Sequence, residues 1–147
     1  TDVTWVPIAP GSYKRGCVPA DAECDDDEKP AKTETVGRFF WMAKTETTVA
    51  QFEKCTRAGA CSDLHQHYKR ATCNWPNGRD NHPMNCVTWE EAKNFCRWAG
   101  GRLPTATEWE YAAKSGKSII YPWGNAKPNG ARANFCDRNS PYWRASP

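Results

Sequence analysis

The chain has 147 residues, about the size of one domain with one sizeable core. Its 20 lysines and arginines against 17 aspartates and glutamates leave a formal charge of +3, spread too evenly to form the basic stripe that phosphate backbones require. No apolar run approaches the ~20 residues of a membrane helix and no signal-peptide pattern opens the chain, so neither a nucleic-acid partner nor a membrane span is expected.

From the N-terminus, residues 4–8 predict a short strand that Pro7 assigns to a sheet edge, followed by a turn at Gly11-Ser12-Tyr13. Between Cys17 and Pro30 the chain is acidic, with Asp21, Glu23, Asp25, Asp26, Asp27 and Glu28 crowded around Cys24. Calcium takes several oxygen ligands from such loops, but the spacing and central glycine of an EF-hand are missing, and a solvated loop is expected. Residues 36–43 have the aromatic and apolar density of a core strand.

Thr48-Val49-Ala50-Gln51 is a capping box, because the threonine hydroxyl and glutamine amide can satisfy backbone groups left unpaired in a first helical turn; a helix of about three turns should run to Gly59. Thr88-Trp89-Glu90-Glu91 repeats the device. Ala92, Phe95, Cys96 and Ala99 then recur at three- and four-residue steps, predicting an amphipathic helix stopped by Gly100. Thr105-Ala106-Thr107-Glu108 predicts a third, short helix through Ala113, with Glu108 serving the cap and Trp109 supplying apolar area. Beyond Gly116, Ser118-Ile119-Ile120-Tyr121 is strand-like, and Pro122, Gly124, Pro128 and Gly130 break the rest into turns.

Eight cysteines in so short a chain indicate an oxidising compartment, here secreted, periplasmic or cell-surface. Thiolate metal sites favour paired C-x2-C spacings, and Cys17, Cys24, Cys55, Cys61, Cys73, Cys86, Cys96 and Cys136 contain none, so disulfides are expected. Cys17–Cys24 and Cys55–Cys61 close short local loops; the pairing of Cys73, Cys86, Cys96 and Cys136 stays open. His65 and His67 lack a third ligand nearby and are read as a surface turn. Among eight tryptophans, Trp75 and Trp143 lie in turn-rich segments and are the candidates for an exposed ligand surface facing a protein, peptide or carbohydrate partner.

One stretch carries a family resemblance. Residues 101–113, Gly-Arg-Leu-Pro-Thr-Ala-Thr-Glu-Trp-Glu-Tyr-Ala-Ala, followed by Tyr121-Pro122-Trp123-Gly124-Asn125, resemble the signature of formylglycine-generating enzymes and sulfatase-modifying factors. His82-Pro83-Met84-Asn85-Cys86-Val87-Thr88-Trp89 and Phe95-Cys96-Arg97-Trp98-Ala99-Gly100 are similar to the block that precedes it in that family. The resemblance implies an α+β fold, the C-type-lectin-like variant of the formylglycine-generating-enzyme fold, with few helices, short strands and long disulfide-linked loops. It treats residues 1–147 as a single domain in which the family's C-terminal part does not appear.

In that family a peptide cysteine is oxidised to formylglycine with the help of two nearby cysteines that hold copper(I), a soft ion suited to thiolates. Only Cys136 lies beyond Cys96 here, so the resemblance implies no catalytic and no cofactor-binding residue in this chain, and copper only if a C-terminal segment complements it. Arg132-Ala133-Asn134-Phe135 resembles the segment that supplies hard oxygen ligands to a structural calcium ion, making Asn134, Phe135 and Asp137 candidate calcium ligands. The expectation is a non-catalytic extracellular binding or structural module. Its alternatives are the N-terminal part of a copper-dependent oxidase of peptide cysteine and a self-associating subunit of a cell-surface assembly.

Overall fold

A computed structural model describes residues 2–63, 73–75 and 78–133. Among them are four strands, β1 (Trp5–Ile8), β2 (Gly11–Arg15), β3 (Lys32–Val36) and β4 (Phe40–Ala43), and three helices, α1 (Val49–Arg57), α2 (Trp89–Trp98) and α3 (Ala106–Lys114). A 3-10 turn at Asp26–Glu28 lies between β2 and β3. The architecture is α+β, with few helices, short antiparallel strands and long disulfide-linked loops, as the sequence predicts. The chain divides into two compact units, Thr1–Pro10 with Gly37–Thr105, and Gly11–Val36 with Ala106–Pro147.

In the first unit β1 and β4 pair antiparallel, from Trp5 opposite Ala43 to Ile8 opposite Phe40. A two-stranded sheet leaves each strand an open edge, which suits Pro7 because it has no N–H to give to a ladder. Two of the predicted capping boxes, those that start α1 and α2, form. Thr48 Oγ1 accepts from the Gln51 amide at 3.3 Å while Gln51 Oε1 accepts from the Thr48 amide at 2.9 Å, and Thr88 and Glu91 repeat the exchange at 3.3 and 2.7 Å. The helices so started bury one face each: Val49, Phe52 and Cys55 from α1 meet Phe95 from α2, with Ala99, Cys61 and Trp75 completing the core. Phe52 and Phe95 stack with ring centroids 5.7 Å apart. Each buried aromatic ring of this kind contributes roughly 2–3 kcal/mol by removing apolar area from water.

In the second unit β2 and β3 pair antiparallel from Gly11 opposite Val36 to Arg15 opposite Lys32. Tyr13, the buried residue of β2, packs against Tyr111 of α3 at 5.5 Å. A Cβ at Gly11 would meet the Tyr111 hydroxyl, so a side chain there would require the Tyr111 ring to shift.

Three predicted elements differ. Residues 11–13 are the start of a strand rather than a turn, because their partner β3 (Lys-Thr-Glu-Thr-Val) is mostly polar and leaves no apolar signature to read. The single strand expected over residues 36–43 is divided: Val36 closes β3, and β4 begins only at Phe40. Ser118–Tyr121 is not a strand, because Tyr121 bridges to Gly124 only three residues on, closing a turn.

Candidate functional site

The signature residues build local anchors. On α3, the Glu110 carboxylate accepts from the Gly16 amide at 2.9 Å and from Lys114 Nζ at 2.7 Å, with Arg15 Nε 3.8 Å away. Lys114 also donates to the Gly16 carbonyl at 3.0 Å. Gly16 has φ +83°, and a Cβ there would run into the Glu28 carbonyl oxygen, so the end of β2 is glycine by necessity. The Tyr13 hydroxyl lies 3.2 Å from the Thr107 carbonyl and 3.4 Å from Glu110 Oε2, with one proton to donate. Burial, and next the Glu110 charge, push its phenol up to about 12.

The His82-Pro83-Met84-Asn85-Cys86 segment is a splint for the start of α1. The His82 carbonyl accepts from the Val49 amide at 3.0 Å, and Met84 donates its amide to the Thr47 carbonyl at 2.7 Å. Asn85 Oδ1 accepts from the Asn74 amide at 2.7 Å, and Asn74 Nδ2 donates to the Pro83 carbonyl at 2.8 Å. Tyr121-Pro122-Trp123-Gly124-Asn125 closes on itself: Tyr121 and Trp123 stack at 5.1 Å, Asn125 Oδ1 accepts from the Ile120 amide, and Trp123 donates to the Ala126 carbonyl. These side chains and backbone groups hold one another.

Cysteines 17 and 24, 55 and 61, and 73 and 86 form disulfides, with Cα separations of 5.8, 5.3 and 5.7 Å. The two local pairs are those expected, and the third settles one of the open pairings. Cys96 carries a free thiol among the described residues, and burial pushes it above the ordinary thiol range. Cys136 lies outside the described residues, as do His65, His67, Asn134, Phe135, Asp137 and Trp143. Copper(I) is served by two thiolates, and with six of the described cysteines bonded in pairs the described residues do not fit it.

Trp75 corrects an expectation. It is 5 % exposed, packed in the core of the first unit, with its indole N–H donating to Glu53 Oε1 at 2.8 Å. The turn-rich context misled because Trp75 follows a cysteine fixed by the Cys73–Cys86 disulfide, and Glu53, an unremarked glutamate on α1, is the partner that sequence spacing did not reveal. Among the described residues, the large aromatics left exposed are Phe39, Trp41, Trp89 and Trp109. Trp89 lies beneath the ammonium of Lys93, 4.5 Å from the ring centroid, and Trp109, read as supplying apolar area, presents that area to solvent.

The acidic loop satisfies itself locally. Asp21 accepts from the Glu23 amide, Glu28 from the Asp25 amide, and Asp26 pairs with Lys29 at 3.0 Å. Beside it, Lys14, Cys17, Val18, Pro19, Ala31 and Ser118 line an open, mainly apolar cavity of about 410 Å³. Among the described residues no helix is long and apolar enough to cross a membrane, and three disulfides fit an oxidising, non-cytoplasmic setting.

The fold and its anchors define a small, disulfide-stapled α+β protein. The family model "Sulfatase-modifying factor enzyme 1-like domain" matches residues 2–147, and the chain belongs to that family. It is 31% identical over 157 residues to a formylglycine-generating enzyme of Thermomonospora curvata, covering 82% of this chain and 52% of that protein. It is 50% identical over 48 residues to the mouse formylglycine-generating enzyme (32% of this chain, 13% of that protein) and 51% identical over 49 residues to the bovine inactive C-alpha-formylglycine-generating enzyme 2 (32% and 16%). The chain spans about half the length of these curated relatives, or less. An active and an inactive relative match at almost the same identity, so likeness of this degree does not separate the two.

Proposed function

We propose that this chain is a framework and binding module of the formylglycine-generating type, one that holds its loops in place and presents them to a protein or peptide partner. The observation that carries this reading is the engagement of the signature residues in the framework: Glu110 with Gly16 and Lys114, the His82–Cys86 segment with the start of α1, and Tyr121–Asn125 within itself. Such residues position; they are not free to react. A single domain across residues 1–147, of the C-type-lectin-like variety, is in keeping with one family model running along almost the whole chain. The setting proposed is secreted, periplasmic or cell-surface, with calcium held by Asn134, Phe135 and Asp137 as a brace.

A second reading is favoured by the relatives' names: a part of a copper-dependent oxidase that converts a peptide cysteine to formylglycine. A cysteine-containing peptide is the substrate class of the second reading, and we propose the same class as the peptide partner of the first. Fluorescence anisotropy of such a labelled peptide, titrated with the purified full chain, should give saturable binding. A signal that does not saturate, or that is unchanged with an unfolded control chain, rejects the binding module.

A further inference from the structure

We propose that Cys17, Cys24 and Glu28 form a redox-gated site for a soft or borderline divalent cation such as zinc, closed while the disulfide stands and opened by thiol reductants. The two sulfurs and a Glu28 carboxylate oxygen all lie within 4.8 Å of one another. Thiolates sharing one tetrahedral zinc ion lie about 3.8 Å apart, so after reduction the two sulfurs must part from bonding distance by roughly 1.7 Å, while the Glu28 carboxylate already lies within 4.8 Å of both. Two thiolates and a carboxylate are a donor set that zinc accepts, leaving a fourth position for water.

The three disulfides differ in ways that single out this one. Cys55 and Cys61 are both buried and Cys73 is fully buried opposite a partly exposed Cys86, whereas in the Cys17–Cys24 pair both members are partly open to solvent. An exposed disulfide is the more accessible to an attacking thiolate. The loop also has anchors that do not depend on the sulfur bond: the Cys17 amide donates to the Glu28 carbonyl at 3.4 Å, Asp21 donates to the Val18 carbonyl at 2.9 Å, and Glu110 holds Gly16. Those backbone bonds keep Glu28 beside Cys17 after reduction. Asp21, Glu23, Asp25, Asp26 and Asp27 surround the cluster with negative charge, which raises the local concentration of cations.

Opening requires two electrons. A thiol reductant's thiolate attacks one sulfur and forms a mixed disulfide while the other sulfur leaves as a thiolate. A second reductant thiol then releases the first sulfur. The reductant ends as its own disulfide, and two protons settle on the freed thiols. Metal binding expels those two protons, one from each sulfur, so affinity rises with pH.

The test uses the full chain with Cys96→Ser and Cys136→Ser, so that other thiols do not compete. After limited dithiol treatment, alkylation and peptide mapping should find Cys17 and Cys24 reduced before the other two pairs. Anaerobic titration with cadmium, followed by thiolate-to-metal charge-transfer absorbance, and with zinc by chelator competition, should give one ion per chain. Adding Cys17→Ser should abolish the absorbance band, and Glu28→Gln should weaken zinc binding about tenfold while leaving the order of reduction unchanged. Reduction of Cys17–Cys24 last, or zinc affinity unaltered by Glu28→Gln, overturns the proposal, and the second readout stands even if Cys17→Ser does not fold.

Discussion

Glu110 accepts a hydrogen bond from the amide of Gly16, 94 residues earlier in the chain, and so fastens the end of β2 to α3. The same carboxylate pairs with Lys114, whose side chain is largely buried. Glu110→Ala leaves the Gly16 amide without its acceptor and the largely buried Lys114 ammonium with only the Gly16 carbonyl, at a combined cost of about 2–4 kcal/mol. Urea unfolding should show a loss of at least about 2 kcal/mol, with Glu110→Gln intermediate because it keeps an acceptor oxygen.

Tyr13 adds a pH dependence to the same knot. Its phenol is raised from 10 to about 12 by burial and by the Glu110 charge. The proton is therefore bound more tightly in the folded chain, the contribution is complete below pH 10, and it is lost as pH rises from about 10 to 12, amounting to roughly 2–3 kcal/mol. Tyrosinate absorbance, compared between the parent and Tyr13→Phe, should place this group at about 12 and lower it in Glu110→Gln.

Trp75 and Trp89 should respond in opposite ways. Trp75 is buried and bonded to Glu53, and Trp75→Ala should cost about 3–5 kcal/mol. Trp89 is 62 % exposed, and Trp89→Ala should cost less than about 1 kcal/mol, mainly the contact with Lys93. Chemical denaturation of both variants checks the contrast.

Much of the fold was legible because the relevant signals are local. Thr48 with Gln51 and Thr88 with Glu91 announce helix starts within four residues, and Cys17–Cys24 and Cys55–Cys61 close loops of sequence separation 7 and 6. What depended on distant partners was not legible. The polar strand β3 exists because β2 lies beside it, Trp75 is buried because Glu53 and the Cys73–Cys86 bond hold it, and Glu28 meets two sulfurs only after the loop has folded back. Trp89 and Trp109 lie within the family motifs yet are exposed, since a motif records which residues recur and not which face they occupy.

Cys96 should behave as a protected thiol. Burial raises its pKa, so little thiolate is present at neutral pH. Alkylation in the native chain, read by peptide mapping, should be slower than that of a free cysteine, and the difference should vanish in denaturant.

The central claim is that the anchored signature residues form a framework and do not carry out oxidation. The direct measurement is mass spectrometry of a cysteine-containing peptide after incubation of the full chain with copper(I) and oxygen. If these residues are a framework alone, no aldehyde-bearing peptide forms beyond the level seen without the chain. Catalytic accumulation of the aldehyde-bearing peptide, absent without the chain and trapped by a hydrazine probe, would contradict it and establish the oxidase reading.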